Sequence, residues 1–141
     1  MNIFFKKISK ENILLLLFLF ISPLLKADTF HFTQIAVTKG HATYIEIKND
    51  NGNTIYDIIV DGGSMSSNQI LKDFMSDKSL DAVFVTHYDE DHIGGLVGNN
   101  KNGLLHDLRY ANTIIYDRGN VEEPSTHVYD RYKQLNNRQA F

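Results

Sequence analysis

The sequence predicts an α/β fold, because strand-like and helix-like segments alternate along the chain after residue 60. Before that point, residues 43–47 and 54–60 are rich in β-branched residues and are separated by a dense turn signal at 49–53. After it, residues 80–86 form an apolar segment that follows a stretch with helical spacing. This order is typical of sheet and helices packed in layers, and it differs from that of an all-β sandwich. The 141 residues leave room for one domain.

The globular part is predicted to begin with a β-hairpin and a third strand. Residues 30–38 alternate loosely, a turn at 39–41 follows, and residues 43–47 alternate more cleanly. The third strand, residues 54–60, ends at Asp61-Gly62-Gly63, where the chain has to turn sharply. A short amphipathic helix that packs on the sheet is then predicted by the spacing of Ile70, Leu71, Phe74 and Met75.

The later elements continue the alternation. Residues 80–86 contain the uninterrupted apolar run Ala82-Val83-Phe84-Val85, which predicts a strand buried on both faces. A short helix is predicted to open at Ile93, a loop follows at 98–103, and another short strand at 113–116 ends at Asp117. A last helix from Ser125 onward is indicated by the spacing of Val128, Tyr132 and Leu135.

The first 27 residues are predicted to be a secretory signal peptide rather than part of the globule. Three lysines, at positions 6, 7 and 10, precede an apolar run at 13–21, and Ser22-Pro23 breaks that run before a cut after Ala27. The alternative is an uncleaved membrane anchor, but the apolar stretch 13–25 is shorter than the roughly 20 residues that span a bilayer. No cysteine precedes the cut, which excludes a lipoprotein. The chain is therefore expected to be exported, to the periplasm or the medium of a bacterium.

The composition limits what can stabilise and bind the mature chain. There is no cysteine, so no disulfide can form in an oxidising compartment. The leader carries four lysines and one glutamate, so removing its net +3 takes the charge of the chain from −3 to −6. A domain this acidic is a poor electrostatic match for a polyphosphate backbone unless a bound metal or a local patch compensates. A small-molecule or phosphodiester substrate is the expected partner.

The segment Thr86-His87-Tyr88-Asp89-Glu90-Asp91-His92 concentrates two imidazoles and three carboxylates directly after an apolar strand. Burying these carboxylates together is costly unless a cation neutralises them. His87, Asp89 and Asp91 stand at alternate positions, so an extended loop can point them the same way, and His92 follows as the chain turns into a helix. These four residues are therefore predicted to ligate one or two divalent ions, with zinc favoured and manganese or ferrous iron as alternatives.

The alternative interpretation of this segment is an exposed acidic loop with two solvated histidines. Three features favour the metal site instead. The cluster follows the end of a strand, Gly94-Gly95 lets another backbone segment pass close to it, and an earlier strand ends in its own Asp-Gly-Gly. Of the other four histidines, those at positions 31, 41 and 127 are interpreted as surface or turn residues, and neither His106 nor His127 follows a convincing buried strand.

The segment from Thr86 to Leu96 resembles the signature of the metallo-β-lactamase-fold hydrolases, Thr-His-x-His-x-Asp-His followed by a Gly-Gly-Leu-like step. His87, Asp91 and His92 match residue for residue, whereas Asp89 stands where the second histidine usually is. The resemblance implies that His87 and the residue at position 89 help to hold one metal ion and that the Asp91-His92 pair helps to hold a second. The Asp89 departure resembles the subgroup that includes the hydrolase domain of the DNA-uptake competence protein ComEC, and it makes manganese more plausible beside zinc.

The resemblance covers roughly residues 30–117, which is the first half of the αββα sandwich of that family. It implies a second half with a further His, a bridging Asp and a final His, which the chain lacks after the motif, so the sequence predicts a truncated domain over residues 28–141. By the same resemblance, Asp61 is a residue that supports the ligands from behind or caps the turn at Gly62-Gly63.

Two functions are carried forward from the sequence. The first is metal-dependent hydrolysis, in which a metal-activated water attacks a phosphodiester or ester-type bond and Asp91 orients that water as the catalytic residue. The second is a truncated, non-catalytic exported fragment that binds metal or a partner. In that case the seven tyrosines are candidates for an exposed aromatic surface.

Overall fold

The computed structural model describes residues 28–119, 121 and 123–141, so the predicted signal peptide at 1–27 lies outside the described residues. The described chain contains one six-stranded sheet whose strands lie side by side in chain order. The strands are β1 (Thr29–Gln34), β2 (Thr43–Lys48), β3 (Thr54–Val60), β4 (Ala82–Phe84), β5 (Ile114–Asp117) and β6 (Arg138–Ala140). This is a mixed α/β architecture, and it confirms the predicted α/β fold class.

The direction of the strands changes once across the sheet. β1, β2 and β3 pair antiparallel, whereas β3, β4, β5 and β6 pair parallel. The predicted hairpin is confirmed, but its first strand ends at Gln34 and not at residue 38. The chain leaves the ladder there because the Val37 N–H donates to the Ile35 carbonyl instead of to β2.

Three helices form a single layer on one face of the sheet: α1 (Asn68–Phe74), α2 (Glu90–Val97) and α3 (His127–Tyr132). The central helix α2 contacts both α1 and α3. One residue from each central strand faces this layer, namely Ile59, Val83 and Ile115, and these side chains are buried together with apolar residues of the helices. In the described part of the chain, no helix is long and apolar enough to cross a membrane.

The opposite face of the sheet corrects the prediction for residues 80–86. In β4 only the helix-facing Val83 is fully buried, whereas Ala82 and Phe84 on the other face are half-buried. The uninterrupted apolar run predicts burial on both faces, but the described residues supply a helical layer to one face only. The apolar pattern of the strand is correct, and its second partner layer is absent from the described residues.

Two further predictions differ from the structure, and one strand was not predicted. The helix predicted to open at Ile93 begins at Glu90, because extended Asp89 precedes it and the Asp89 carbonyl accepts the Ile93 N–H. The edge strand β6 was not predicted, since its three residues carry no apolar alternation. The predicted aromatic surface is wrong for five of the seven tyrosines, because these lie in the core: Tyr44, Tyr88, Tyr110, Tyr129 and Tyr132.

Candidate metal centre

The predicted ligands gather at the carboxyl ends of two neighbouring parallel strands. β3 is followed by Asp61, and β4 is followed after Val85 by Thr86 and His87. Asp89 adopts an extended conformation directly before α2, so Asp91 and His92 lie in the first turn of that helix. The alternation that predicted a common direction for the carboxylates therefore ends at Asp89, and the helix, not an extended loop, sets the direction of Asp91.

Asp61 is the most constrained residue of this edge. Its side chain is buried, with 3% of the residue exposed, and its backbone has a φ of +57°, in the left-handed region. The carboxylate accepts hydrogen bonds from the Thr86 N–H at 2.9 Å and from the Thr86 hydroxyl at 2.7 Å. A third partner is Nδ1 of His92, at 2.8 Å. Asp61 thus fastens the end of β3 to the end of β4 and to α2.

The contact between Asp61 and His92 also orients the imidazole. A histidine that ligates a metal usually donates its other ring N–H to a carboxylate or carbonyl, which fixes its tautomer and its direction. With Nδ1 of His92 against the Asp61 carboxylate, Nε2 is the nitrogen left for a metal ion. The sequence-based interpretation of Asp61 as a supporting or turn-capping residue agrees with this position.

His87 and Asp89 lie beside the oriented His92. The ring centroids of His87 and His92 are 3.7 Å apart. Nδ1 of His87 lies 3.0 Å from the Thr86 hydroxyl, and Nε2 lies 3.5 Å from a carboxylate oxygen of Asp89. The imidazoles of His87 and His92 and the carboxylate of Asp89 therefore lie close together beyond the carboxyl end of β4.

Asp91 faces the turn that joins β1 to β2. Its carboxylate lies 3.8 Å from Nζ of Lys39. The next residue, Gly40, has a φ of +80°, and a Cβ atom added there would lie 1.6 Å from the Asp91 carbonyl oxygen. The Lys39–His41 turn therefore packs directly against the first turn of α2.

His41 is the residue of this edge that the sequence analysis assigned to the surface. Its side chain is exposed, but its ring centroid lies 5.5 Å from that of His92. Its carbonyl accepts the Gly63 N–H at 2.8 Å, which ties the turn to the end of β3. An antiparallel pairing of β2 with β3 predicts this position of His41, because the start of β2 then lies beside the end of β3.

The donor set of this edge suits a divalent metal ion. Imidazole nitrogens with carboxylate oxygens match zinc, manganese or ferrous iron, and the buried Asp61 carboxylate already supports one of the imidazoles. Within residues 28–119, 121 and 123–141, no three His, Asp or Glu side chains converge on one point as metal ligands. Instead, Asp89 pairs with His87 and Asp91 with Lys39. Binding a metal there requires these two carboxylates to turn from their present partners.

The glycines of α2 explain how the edge packs so closely. The Gly62 N–H donates to the His92 carbonyl at 2.7 Å, and the Gly95 N–H donates to the Gly63 carbonyl at 2.8 Å. A Cβ atom on Gly95 would lie 2.0 Å from the Gly62 carbonyl oxygen. The close backbone approach that Gly94-Gly95 suggested is therefore made by the Asp61-Gly62-Gly63 turn.

Replacing Asp61 by asparagine is expected to weaken Zn²⁺ binding by about 10- to 100-fold, because the His92 ring loses the carboxylate that fixes its tautomer. The affinity is measured by isothermal titration of Zn²⁺ into the purified chain, below the melting temperature of both forms. Asp73→Asn, which changes an exposed carboxylate on α1, is the matched control. Equal affinities for wild type and Asp61→Asn would show that this contact does not support a metal ligand.

Gly40→Ala is expected to destabilise the chain by more than Gly52→Ala. Both glycines have nearly the same left-handed φ, +80° and +81°, so the backbone cost of roughly 1–2 kcal/mol is shared. Only at Gly40 would the added methyl group also meet the Asp91 backbone, whereas nothing lies within 4 Å at Gly52. Urea unfolding of the two variants gives the difference, and equal unfolding free energies would contradict the close packing of the turn on α2.

One comparison with known protein families concerns the part of the chain that forms this edge. The described chain has a partial metallo-β-lactamase-like fold with its polar cluster at the carboxyl ends of parallel strands. Residues 37–98 match the family model described as the metallo-beta-lactamase superfamily. The matched segment begins within the turn between β1 and β2 and ends one residue after α2, so it contains every residue of the edge described above.

One solved structure that resembles the chain is described as "Crystal structure of metallo-beta-lactamase, SMB-1, in a complex with mercaptoacetic acid". The TM-score is 0.38 and the identity is 16%, over 62% of this chain and 30% of that chain. The chain thus spans less than a third of the length of that protein. The comparison with curated proteins finds no match.

Proposed function

We propose that this chain carries the metal-binding edge of an exported metal-dependent hydrolase, with His87, Asp89, Asp91 and His92 as the metal ligands. The observation that carries the proposal is the buried Asp61 carboxylate 2.8 Å from Nδ1 of His92, because it prepares Nε2 of that ring for a metal. The match of residues 37–98 to the model of a superfamily of generally hydrolytic metalloenzymes supports the same function.

Each residue of the edge has a distinct task in this proposal. A divalent ion bound there supplies Lewis-acid chemistry and a more acidic water at neutral pH. Asp61 holds the imidazole of His92, while Asp91, at the start of α2, accepts a proton from the attacking water and orients it. Lys39, whose side chain is 71% exposed and lies 3.8 Å from Asp91, is placed to meet an anionic oxygen of the substrate.

The proposed substrates are small molecules with a phosphodiester or ester-type bond. A carboxylate at position 89 in place of an imidazole resembles the ComEC subgroup and supports phosphodiester hydrolysis with zinc, manganese or iron. The net charge of −6 for residues 28–141 opposes a long polyanionic substrate, since that surface repels a phosphate backbone. Export rests on the leader-like residues 1–27 of the sequence.

The second candidate function is a non-catalytic exported fragment that binds a metal ion or a partner. It is favoured by the positions of the two histidines that follow the motif. The His127 side chain is 98% exposed at the start of α3, and His106 lies in a short 3₁₀ helix, Leu104–His106, on the other side of the loop 98–103. Neither follows the carboxyl end of a parallel strand, so neither completes the edge as a ligand.

The hydrolase proposal is tested with the full chain expressed in a bacterial host, with N-terminal cleavage recorded by mass spectrometry. Hydrolysis of bis-p-nitrophenyl phosphate and of p-nitrophenyl esters is measured with added Zn²⁺, Mn²⁺ or Fe²⁺. The expected result is a metal-dependent rate that falls by about 100-fold or more in Asp91→Asn. His127→Ala should retain the full rate. A rate no higher than that of the free metal ion, in a chain that retains metal, would favour the non-catalytic candidate.

A further inference from the structure

The face of the sheet that the helices leave uncovered is apolar across five strands. The pairing registers place its side chains in three cross-strand rows. The rows are Phe30–Ile47–Tyr56, then Phe32–Ile45–Ile58–Ala82–Ile114, then Gln34–Thr43–Val60–Phe84–Tyr116. None of these residues carries a charge, and Gln34 and Thr43 are hydrogen-bonded to each other at one corner. The other residues form one continuous apolar surface, which we name the open face.

The open face is too large and too apolar to be an ordinary exposed surface. Phe30, Phe32 and Tyr56 are 58%, 68% and 54% exposed, and the other residues of the open face are half-buried. Parallel strands normally have both faces covered, and contiguous apolar patches beyond a few hundred Å² mark an interaction site. This face is therefore expected to be covered by an apolar surface of similar size.

The open face has a ridge on one side and a groove on the other, so the ridge of one copy of the chain can fit the groove of a second copy. Its β1 side carries a ridge, the exposed side chains of Phe30 and Phe32. Its β4–β5 side carries a groove of about 550 Å³, whose lining includes Ile58, Phe84 and Tyr116. The rings of Phe84 and Tyr116 stack in the lining of this groove, with their centroids 4.9 Å apart.

We propose that two copies of this chain pack through their open faces. A two-fold axis that runs between the two sheets along the strand direction places the ridge of each copy over the groove of the other. The same axis passes over β3, the middle strand of the five, so that Tyr56 of one copy lies near Tyr56 of the other. Both helical layers then lie outside, and the two sheets form the centre of a four-layer sandwich.

The size and charge of the open face agree with this arrangement. Five strands about 4.8 Å apart and about five residues long cover roughly 400 Å² in projection, so two copies bury on the order of 1,000 Å² of accessible surface. That value reaches the lower end of specific interfaces. The rows contain no Asp, Glu, Lys or Arg, and the charged residues that line the groove, Asp81 and Arg109, are one of each sign. The arrangement needs no metal ion and goes beyond the hydrolase proposal.

The mass of the full chain is measured by light scattering and sedimentation from about 1 to about 100 µM, with a chelator present so that metal binding plays no part. The expected result is the mass of two chains, and Phe32→Glu with Tyr56→Glu is expected to raise the dissociation constant at least ten-fold. Both positions are exposed, so circular dichroism should be unchanged. Leu108→Glu, at an 89% exposed leucine outside the open face, is the matched control and should remain dimeric. A single-chain mass for wild type, or an unaffected double variant, overturns the proposal.

A cross-link tests the geometry separately. The chain contains no cysteine, so Tyr56→Cys and Leu108→Cys each introduce a single thiol. Mild oxidation is expected to join two copies of Tyr56→Cys in a disulfide and to leave Leu108→Cys unlinked, because only position 56 lies near the two-fold axis. A dimeric mass without this cross-link places the interface elsewhere and overturns the proposal. Protection of the Tyr56→Cys thiol in a single-chain species, lost when residues 1–27 are removed, would assign the face to that segment and also overturn it.

Discussion

Replacing His87 and Asp91 by alanine together is expected to lower the affinity of the chain for Zn²⁺ and Mn²⁺ at least about 100-fold. The two residues approach the edge from opposite sides, His87 from the end of β4 and Asp91 from the first turn of α2. Their joint removal leaves His92 and Asp89 as the predicted ligands, which is too few to close a structural or catalytic site. The double variant should therefore contain metal only at background level.

Metal content is measured by elemental mass spectrometry after gel filtration, and affinity by isothermal titration. His127→Ala is the control, because that histidine is 98% exposed and lies at the start of α3. It should retain the metal content of the wild type. Tight metal binding that survives the double substitution would contradict the assignment of this edge. Background metal in the wild type as well would show that the chain alone does not assemble the site, and would favour the non-catalytic candidate.

The central part of the fold could be predicted from sequence because local signals and tertiary packing agree there. β3 spans the predicted residues 54–60, since its β-branched residues are followed by Asp61-Gly62-Gly63, which can only turn. β5 likewise ends at Asp117 as predicted. The same agreement brings Asp61 and His87 to one edge, because the carboxyl ends of adjacent parallel strands must lie together.

The features that sequence could not provide depend on contacts between distant segments. The place of His41 beside His92 depends on the pairing of β2 with β3, and its exposed side chain leaves no burial signal of its own. β6 is held by its register with β5, not by its own residues. The open face is likewise invisible in the sequence, since a half-covered strand such as β4 has the same apolar pattern as a fully covered one.

Asp117→Asn is expected to lower the free energy of unfolding by about 3–5 kcal/mol, because it leaves a largely buried arginine without its counter-charge. Asp117 is 1% exposed at the end of β5. One carboxylate oxygen accepts from Nε of Arg138 at 2.7 Å and from the Tyr132 hydroxyl at 2.8 Å, and the other accepts the Gly119 N–H at 2.8 Å. The carboxylate thus joins β5, β6 and α3. Thermal and urea unfolding of both forms give the loss.

The matched control for this variant is Asp130→Asn on α3. Asp130 is 58% exposed and lies 3.3 Å from Nζ of Lys133, so its ion pair is solvated and should contribute less than about 1 kcal/mol. A loss at Asp117 no larger than that at Asp130 would show that the buried network is not what holds β6 to the sheet.

The pH dependence of the unfolding free energy distinguishes a contribution of the Asp117–Arg138 ion pair from a contribution of packing alone. Burial alone would raise the pKa of Asp117, but Arg138, the Gly119 N–H and the Tyr132 hydroxyl outweigh it and hold that pKa below its ordinary value. A carboxyl whose pKa is lower in the folded state contributes stability above its unfolded pKa, near 4, and loses it as the pH falls through the folded value. The difference between wild type and Asp117→Asn should therefore be constant near neutral pH and shrink below about pH 4.

The hydrogen-bond network around Asp117 extends to the candidate metal centre, so its loss should also lower the metal affinity. The hydroxyl of Tyr88, which lies between His87 and Asp89 in the chain, donates to the Gly119 carbonyl, two residues beyond Asp117. Burial, followed by the nearby Asp117 carboxylate, raises the pKa of Tyr88 to about 12, so the hydroxyl is a donor at neutral pH. If Asp117→Asn frees the Gly119 turn, His87 and Asp89 lose the anchor between them, and metal affinity should fall together with stability. An unchanged metal affinity in a destabilised Asp117→Asn chain would show instead that Asp61 alone positions the ligands.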